Sequence, residues 1–349
     1  MRALRLTLLV LAASPIGVVG QTPRAADFDD VFEWVRSVEL QQAEGVVIVQ
    51  PRVTADSSDG WLVFDPPEGQ VRLYDRSGHL KAHFGRRGEG PGEFTVLANV
   101  VRNESGDLVT IDGSGRIARW STDGSRLLDD FRIPVFKITG AALIGRDSLL
   151  VLAPPTFTRD GNASPVLHVI DMVDRQVVRS FYKPSIPENA RTAWASFIGG
   201  SVSSNGEVIG ITLPLLDSLL ILRALNTSIT RVPLRVVGDG SAIPDGSEGR
   251  AALMTWARTI NVIGAVAAGA DASFLIPLLP VGSRQEKIDM LFLPRAGSDP
   301  ILVRGAPILL GTDAAAGVFV FDDPDRLEPQ YLRTARIRPE YREEGSRTR

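Results

Sequence analysis

The chain has 349 residues, 44% of them hydrophobic, no cysteine and a formal net charge of −3. That length is too great for one small domain and leaves either two domains or a repeat array. The missing cysteine excludes disulfides, thiol catalysis and cysteine-ligated metal, and the acidic balance gives no electrostatic reason to bind nucleic acid or anionic lipid.

The first element is an export signal. Arg2 and Arg5 precede an uncharged, mostly apolar run from Leu6 to Val19, and Val18-Val19-Gly20 supplies small residues before a cut at Gln21. The run is 14 residues long, short of the roughly 20 that a spanning helix needs. Residues 1–20 are therefore expected to be a cleaved signal peptide. The mature protein is expected to be periplasmic or secreted, with no stable membrane insertion. Cleavage removes two arginines and leaves 36 basic against 41 acidic residues, a net charge of −5.

Beyond a strand-like segment FEWVRSVEL at 32–40, one unit recurs. A turn rich in Gly, Asp, Asn or Ser leads into a short apolar strand that often ends at Asp, and two more strands follow. The clearest copies are DGWLVFDPPEGQVRLYDRSGHLKAHFG (59–85) and GDLVTIDGSGRIARWSTDGSRLLDDFRI (106–133). Weaker copies start near Asp147, Asn205, Asp271 and Gly317; taken from residues 60, 106, 148, 206, 272 and 317, the spacings are 46, 42, 58, 66 and 45. Asp-Gly and Ser-Gly pairs provide the positive-φ positions that tight hairpins use. The apolar runs alternate only weakly, as expected for strands covered on both faces. Repeats of this length, worth four strands each, predict an all-β, six-bladed β-propeller over residues 21–339, with a disordered polar tail at 340–349.

With the strands of a blade labelled a to d from the axis outward, WLVFD is b, QVRLYD is c and HLKAHFG is d of blade one. The last copy has b and c (GVFVFD, PQYLRTARIR) but no d. The segment at 32–40 is predicted to close the ring as that missing outer strand, pairing an edge that would otherwise be open. A short helix is expected over 247–258.

Between the first two copies lies FGRRGEGPGEF at 84–94. With DG-LVFD and QVRLYDRSG, this junction resembles that of the bacterial six-bladed propeller proteins related to NHL repeats, over residues 46–134. The resemblance implies a fold and a binding scaffold, without an activity.

Strand parity puts the b–c and d–a connections at one end of a propeller. The long connections at 85–95, 153–165, 182–194 and 237–256 all fall there, which marks that end as the binding face. Arg86 and Arg87 are candidate clamps for a carboxylate or phosphate. Trp194 and Trp256, each before an inner strand, are candidate stacking surfaces or interblade core. Asn99, on the inner strand of blade two, completes the candidate ligand-binding set. In the junction Gly85, Gly88, Gly90, Gly92 and Phe94 read as structural.

The three histidines, His79, His83 and His168, fall on outer or third strands, which argues against an axial histidine site. Calcium at the axis, as in lactonase-type propellers, would have only Asn99 and Asn261 to draw on, against six to eight oxygen ligands. No catalytic or metal-ligating residue is assigned. Two functions remain open: a monomeric exported scaffold binding a protein, peptide or glycan, and a metal-dependent, lactonase-like propeller hydrolase or lyase.

Overall fold

The computed structural model describes residues 23–42, 48–56, 60–197, 199–223, 226–234, 243–244, 248–280, 287–295, 298–323, 325 and 331–343. The predicted signal peptide at 1–20 lies outside the described residues. Among them, no helix is long and apolar enough to cross a membrane.

The fold is a six-bladed β-propeller. Blade one comprises Arg52–Asp56, Gly60–Asp65, Gln70–Asp75 and Leu80–Phe84 as strands a to d, each antiparallel to the next. Blade two repeats the meander with Leu97–Arg102, Leu108–Asp112, Arg116–Trp120 and Leu127–Arg132. Blades three and four follow from Gly140–Leu143 to Gln176–Phe181 and from Ser201–Ser204 to Asn226–Pro233. In blade five the inner strand is broken into Asn261–Ile263 and Ala267–Ala268, both paired with strand b, Phe274–Pro280.

Blade six has Leu309–Asp313, Val318–Asp322 and Tyr331–Ile337 as strands a to c, and its outer strand is the N-terminal Phe32–Glu39. The closure expected from the strand count is thus present. Two features go beyond it. Arg24–Asp27 runs parallel to Ile301–Ala306, strand d of blade five, as an extra outermost strand. Residues Pro339–Glu343 form a short helix whose Tyr341 is buried. This corrects the expectation of a tail from residue 340: an aromatic ring with apolar neighbours to bury holds residues 340–343 in place. Residues 344–349 lie outside the described residues.

Each strand b lies between two neighbouring blades, which explains why alternation is weak. All six residues of Gly60–Asp65 are buried, as are all five of Val208–Thr212. Apolar clusters fill the joints: Leu62, Phe94 and Trp120 between blades one and two, and Phe32, Phe292 and Phe319 between five and six.

The aspartates that end strand b have a shared task. The buried Asp65 carboxylate accepts the amides of Val49, at 2.6 Å, and Gln50. Asp112 accepts those of Val96, at 2.9 Å, and Ser114, at 2.7 Å. Each clamps the incoming d–a loop to its own blade. In blade six the loop entering strand a has Pro307, which carries no amide hydrogen, and Oδ1 of the corresponding Asp322 is buried without a hydrogen bond. Burial, with the nearby Asp323 charge adding to it, pushes the Asp322 carboxyl above the usual carboxylate range, although the Asp323 amide acts the other way.

A carboxyl whose pKa is raised by folding penalises the native state once pH exceeds its unfolded value of about 4. Asp322→Asn is therefore expected to raise Tm by about 2 °C at pH 7. The gain should vanish below about pH 4, where Asp322 is itself neutral in both states. Thermal melts that show no gain at pH 7, or a gain that persists at pH 3, would contradict this reading.

Candidate functional site

Because strands a to d of every blade are antiparallel to their neighbours in that series, the d–a and b–c connections lie at one end of the propeller. The long connections after Phe84, Leu152, Phe181 and Pro233 share that end. Residues 235–242 and 245–247 of the last one lie outside the described residues.

The glycine-rich junction folds as a clasp. Gly85 has φ of +79°, and a Cβ there would stand 2.4 Å from the Phe94 ring. Phe94 is buried beside Trp120. Glu93 accepts from the Gly90 amide at 2.8 Å and from Arg86 Nε at 2.7 Å. The Gly90 amide first, then the Arg86 guanidinium, hold its carboxyl below the usual range. Arg116, ion-paired with Asp130, donates to the Gly90 carbonyl from blade two. Arg86 is thus engaged inside the clasp, although its side chain is largely exposed. Arg87 is exposed and has no side-chain partner among the described residues.

The other predicted site residues separate. Trp194 lies in the helix Arg191–Ser196, is 7% exposed and packs with Leu152, Leu167 and Ile211 between blades three and four. It is core, and its place among the ligand contacts is corrected: a short helix turns the ring inward against the blade joint. Trp256 is half-buried in the helix Gly249–Ala257, which realises the helix expected over 247–258. Asn99 donates from Nδ2 to the Ala141 carbonyl, and its Oδ1 accepts the Val100 amide at 2.8 Å, so it stitches blade two to blade three.

A cavity of about 430 Å³ lies on the axis. Inner strands of all six blades contribute to its wall, with Leu62 and Phe64 from strand b of blade one reaching in between blades one and two. Of the five predicted residues, Asn99 alone lines it; Arg86, Arg87, Trp194 and Trp256 do not. Among the described residues the wall carries two arginines and no acidic side chain. Arg102, at the far end of its strand, donates to the carbonyls of Gly106 and Thr122. Arg52, the first residue of strand a in blade one, stands at the long-loop end. Its one side-chain hydrogen bond among the described residues, from Nη1 to the Ala98 carbonyl, is long at 3.4 Å. Among the described residues it has no ion-pair partner. The cavity is open, so Arg52 is exposed to solvent, yet the walls enclose its guanidinium enough for burial to lower its pKa.

Sequence reasoning missed Arg52. The one available signal was a basic residue at the start of an inner strand, in PRVTAD, where the other inner strands open on Leu, Gly, Ser or Asn.

The histidines stay away from the axis. His79 contacts Ser77 in an exposed turn, His83 is exposed on an outer strand, and His168 bonds Ser180 at 2.8 Å. Among the described residues, no cluster of three or more His, Asp or Glu side chains could hold a metal.

A family model described as a 6-bladed beta-propeller, DUF5128, matches residues 16–148. No functionally curated protein matches the sequence. Among solved structures, the chain is similar to a Bacteroides fragilis protein described as exported: TM-score 0.63, 11% identity, covering 90% of this chain and 97% of the other. A member of the duf4221 family from Bacteroides vulgatus gives TM-score 0.61 at 10% identity, covering 88% and 97%. Streptogramin B lyase gives 0.50 at 11% identity, covering 88% and 99%. At these identities the likeness is one of fold.

Proposed function

We propose that this chain is an exported binding protein that seats its ligand in the axial cavity, entered from the end bearing the long connections. The observation that carries this reading is the cavity itself, lined by all six blades, with Arg52 and Ser201 of its wall at the loop-rich end. A cavity of this size lies within the range of small-molecule sites. The apolar N-terminal run and the likeness to a Bacteroides protein described as exported support location outside the cytoplasm. Arg87 and Trp256, on connections at the same end, are the proposed outer contacts for a ligand that extends beyond the cavity, such as a peptide or glycan.

The donor set does not suit an axial calcium. Among the described residues the wall offers amide, hydroxyl and backbone oxygens, no carboxylate and a cationic Arg52. That favours the binding scaffold over a metal-dependent hydrolase or lyase.

Calorimetric titration with glucose, glucuronate and trialanine is the test. At least one is expected to bind one to one, and Ser201→Trp, placed at the cavity mouth, should abolish binding while circular dichroism stays unchanged. Arg87→Ala or Trp256→Ala should weaken binding of the longer probe, and Ser77→Ala or Thr122→Ala, at the opposite end, should not. Binding that survives Ser201→Trp would overturn the cavity as the receptacle.

A further inference from the structure

We infer that Arg52 is an anion anchor, and that the axial cavity takes a small hydroxylated organic acid whose oxyanion pairs with it; this rests on the cavity being the receptacle. Three observations converge. The first is charge. The chain carries 41 acidic residues against 38 basic ones, yet among the described residues no acidic side chain lines this wall. A wall whose described residues include arginine and no carboxylate presents a local positive potential, strengthened by its low-dielectric surroundings.

The second is the unused bonding capacity of Arg52. A guanidinium has five N–H donors in a planar fork that matches the two oxygens of a carboxylate. Here one donor reaches Ala98 at 3.4 Å, and no carboxylate of the described residues pairs with the rest. Its remaining donors face an open cavity, where an incoming oxyanion can take them.

The third is the surroundings. Thr54 lies two residues along the same strand, hence on the same side as Arg52, and lines the cavity. Its hydroxyl, like that of Ser201, makes no hydrogen bond to another described side chain or backbone group. Leu62 and Phe64 form an apolar patch of the wall. Cation, free hydroxyls and an apolar patch together recognise a compact acid bearing hydroxyl groups, and discriminate against its neutral analogue, which would leave the arginine unpaired.

The carboxylate and phosphate forms of such a ligand share this chemistry, and glucuronate, glucose 1-phosphate and glucose separate them. By titration calorimetry at low ionic strength, one or both acids should bind the full mature chain at least tenfold more tightly than glucose, and binding should weaken as salt is raised. Arg52→Gln should lose at least tenfold in affinity for the acid, and Arg52→Lys should fall between. Ser77→Ala, in a turn at the opposite end of the propeller, should retain affinity for these probes. In thermal melts the acid should raise the Tm of the wild type and leave that of Arg52→Gln unmoved, a readout that also verifies the variant is folded. Affinity for the acid within twofold of wild type in Arg52→Gln, or no binding of either acid, would overturn the inference. Glucose binding that is lost in Ser201→Trp but unchanged in Arg52→Gln would overturn the anion anchor while leaving the receptacle in place.

Discussion

Deletion of residues 21–40 is expected to abolish the cooperative fold. These residues include the outer strand Phe32–Glu39, which pairs along the whole of Tyr331–Ile337. They also bury Phe28, Val31, Phe32, Val38 and Leu40. At roughly 1.5–3 kcal/mol for each fully buried apolar side chain, this loss is comparable to the entire 5–15 kcal/mol of a typical domain. The aromatic rings tie two blades together. Phe32 stands 5.7 Å from Phe292 on blade five and 5.9 Å from Phe319 on blade six, and Phe28 stacks on Phe32 at 5.0 Å. Polar contacts fasten the same strand: Ser37 donates to Asp323 at 2.8 Å, and Arg333 lies over the Trp34 ring at 4.0 Å. The truncated chain should aggregate or elute expanded on size exclusion, because the edge of blade six is left open. Phe32→Ala, which keeps the backbone pairing, should fold but lose about 3–5 kcal/mol in urea unfolding. A truncated chain that remains monomeric with an unchanged Tm would sink the closure.

Gly311→Ala should be the most damaging substitution of a single hydrogen by a methyl group. Gly311 lies on the inner strand of blade six and pairs in parallel with Val53 of blade one, so the inner strands are hydrogen-bonded to each other at this joint. A Cβ at Gly311 would stand 1.7 Å from the Val53 carbonyl oxygen. The clash is with backbone on both sides, so no side chain can rotate to relieve it. The two inner strands must part, which opens the ring at the joint where the chain closes. Such overpacking is expected to cost about 3 kcal/mol or more. Gly145→Ala, in a turn with nothing within 4 Å of the added atom, should stay within about 0.5 kcal/mol of wild type. Equal unfolding midpoints for the two variants would contradict the close approach of the inner strands.

How far each conclusion could be read from the chain depends on the range of the interaction behind it. The blades were legible because a strand and its tight turn are local: Asp-Gly and Ser-Gly turns separate apolar runs, and Asp65 and Asp112 mark the ends of strand b. Closure by residues 32–40 was legible by counting, since a fourth strand missing at one end and a spare strand at the other leave one pairing that satisfies both. The end carrying the long connections followed from strand parity alone. The candidate site was legible only in part. Asn99 reaches the axis, whereas Trp194 turned into the core and Arg86 into its own loop, because a side chain's direction depends on neighbours far away in sequence. Likewise, the pairing of Arg24–Asp27 with blade five and the burial of Tyr341 unite segments more than 250 residues apart, which no local pattern encodes. The axial cavity is the clearest case. Its wall is drawn from all six blades, and neither its volume nor the lack of a described carboxylate facing Arg52 exists until the ring has closed around them.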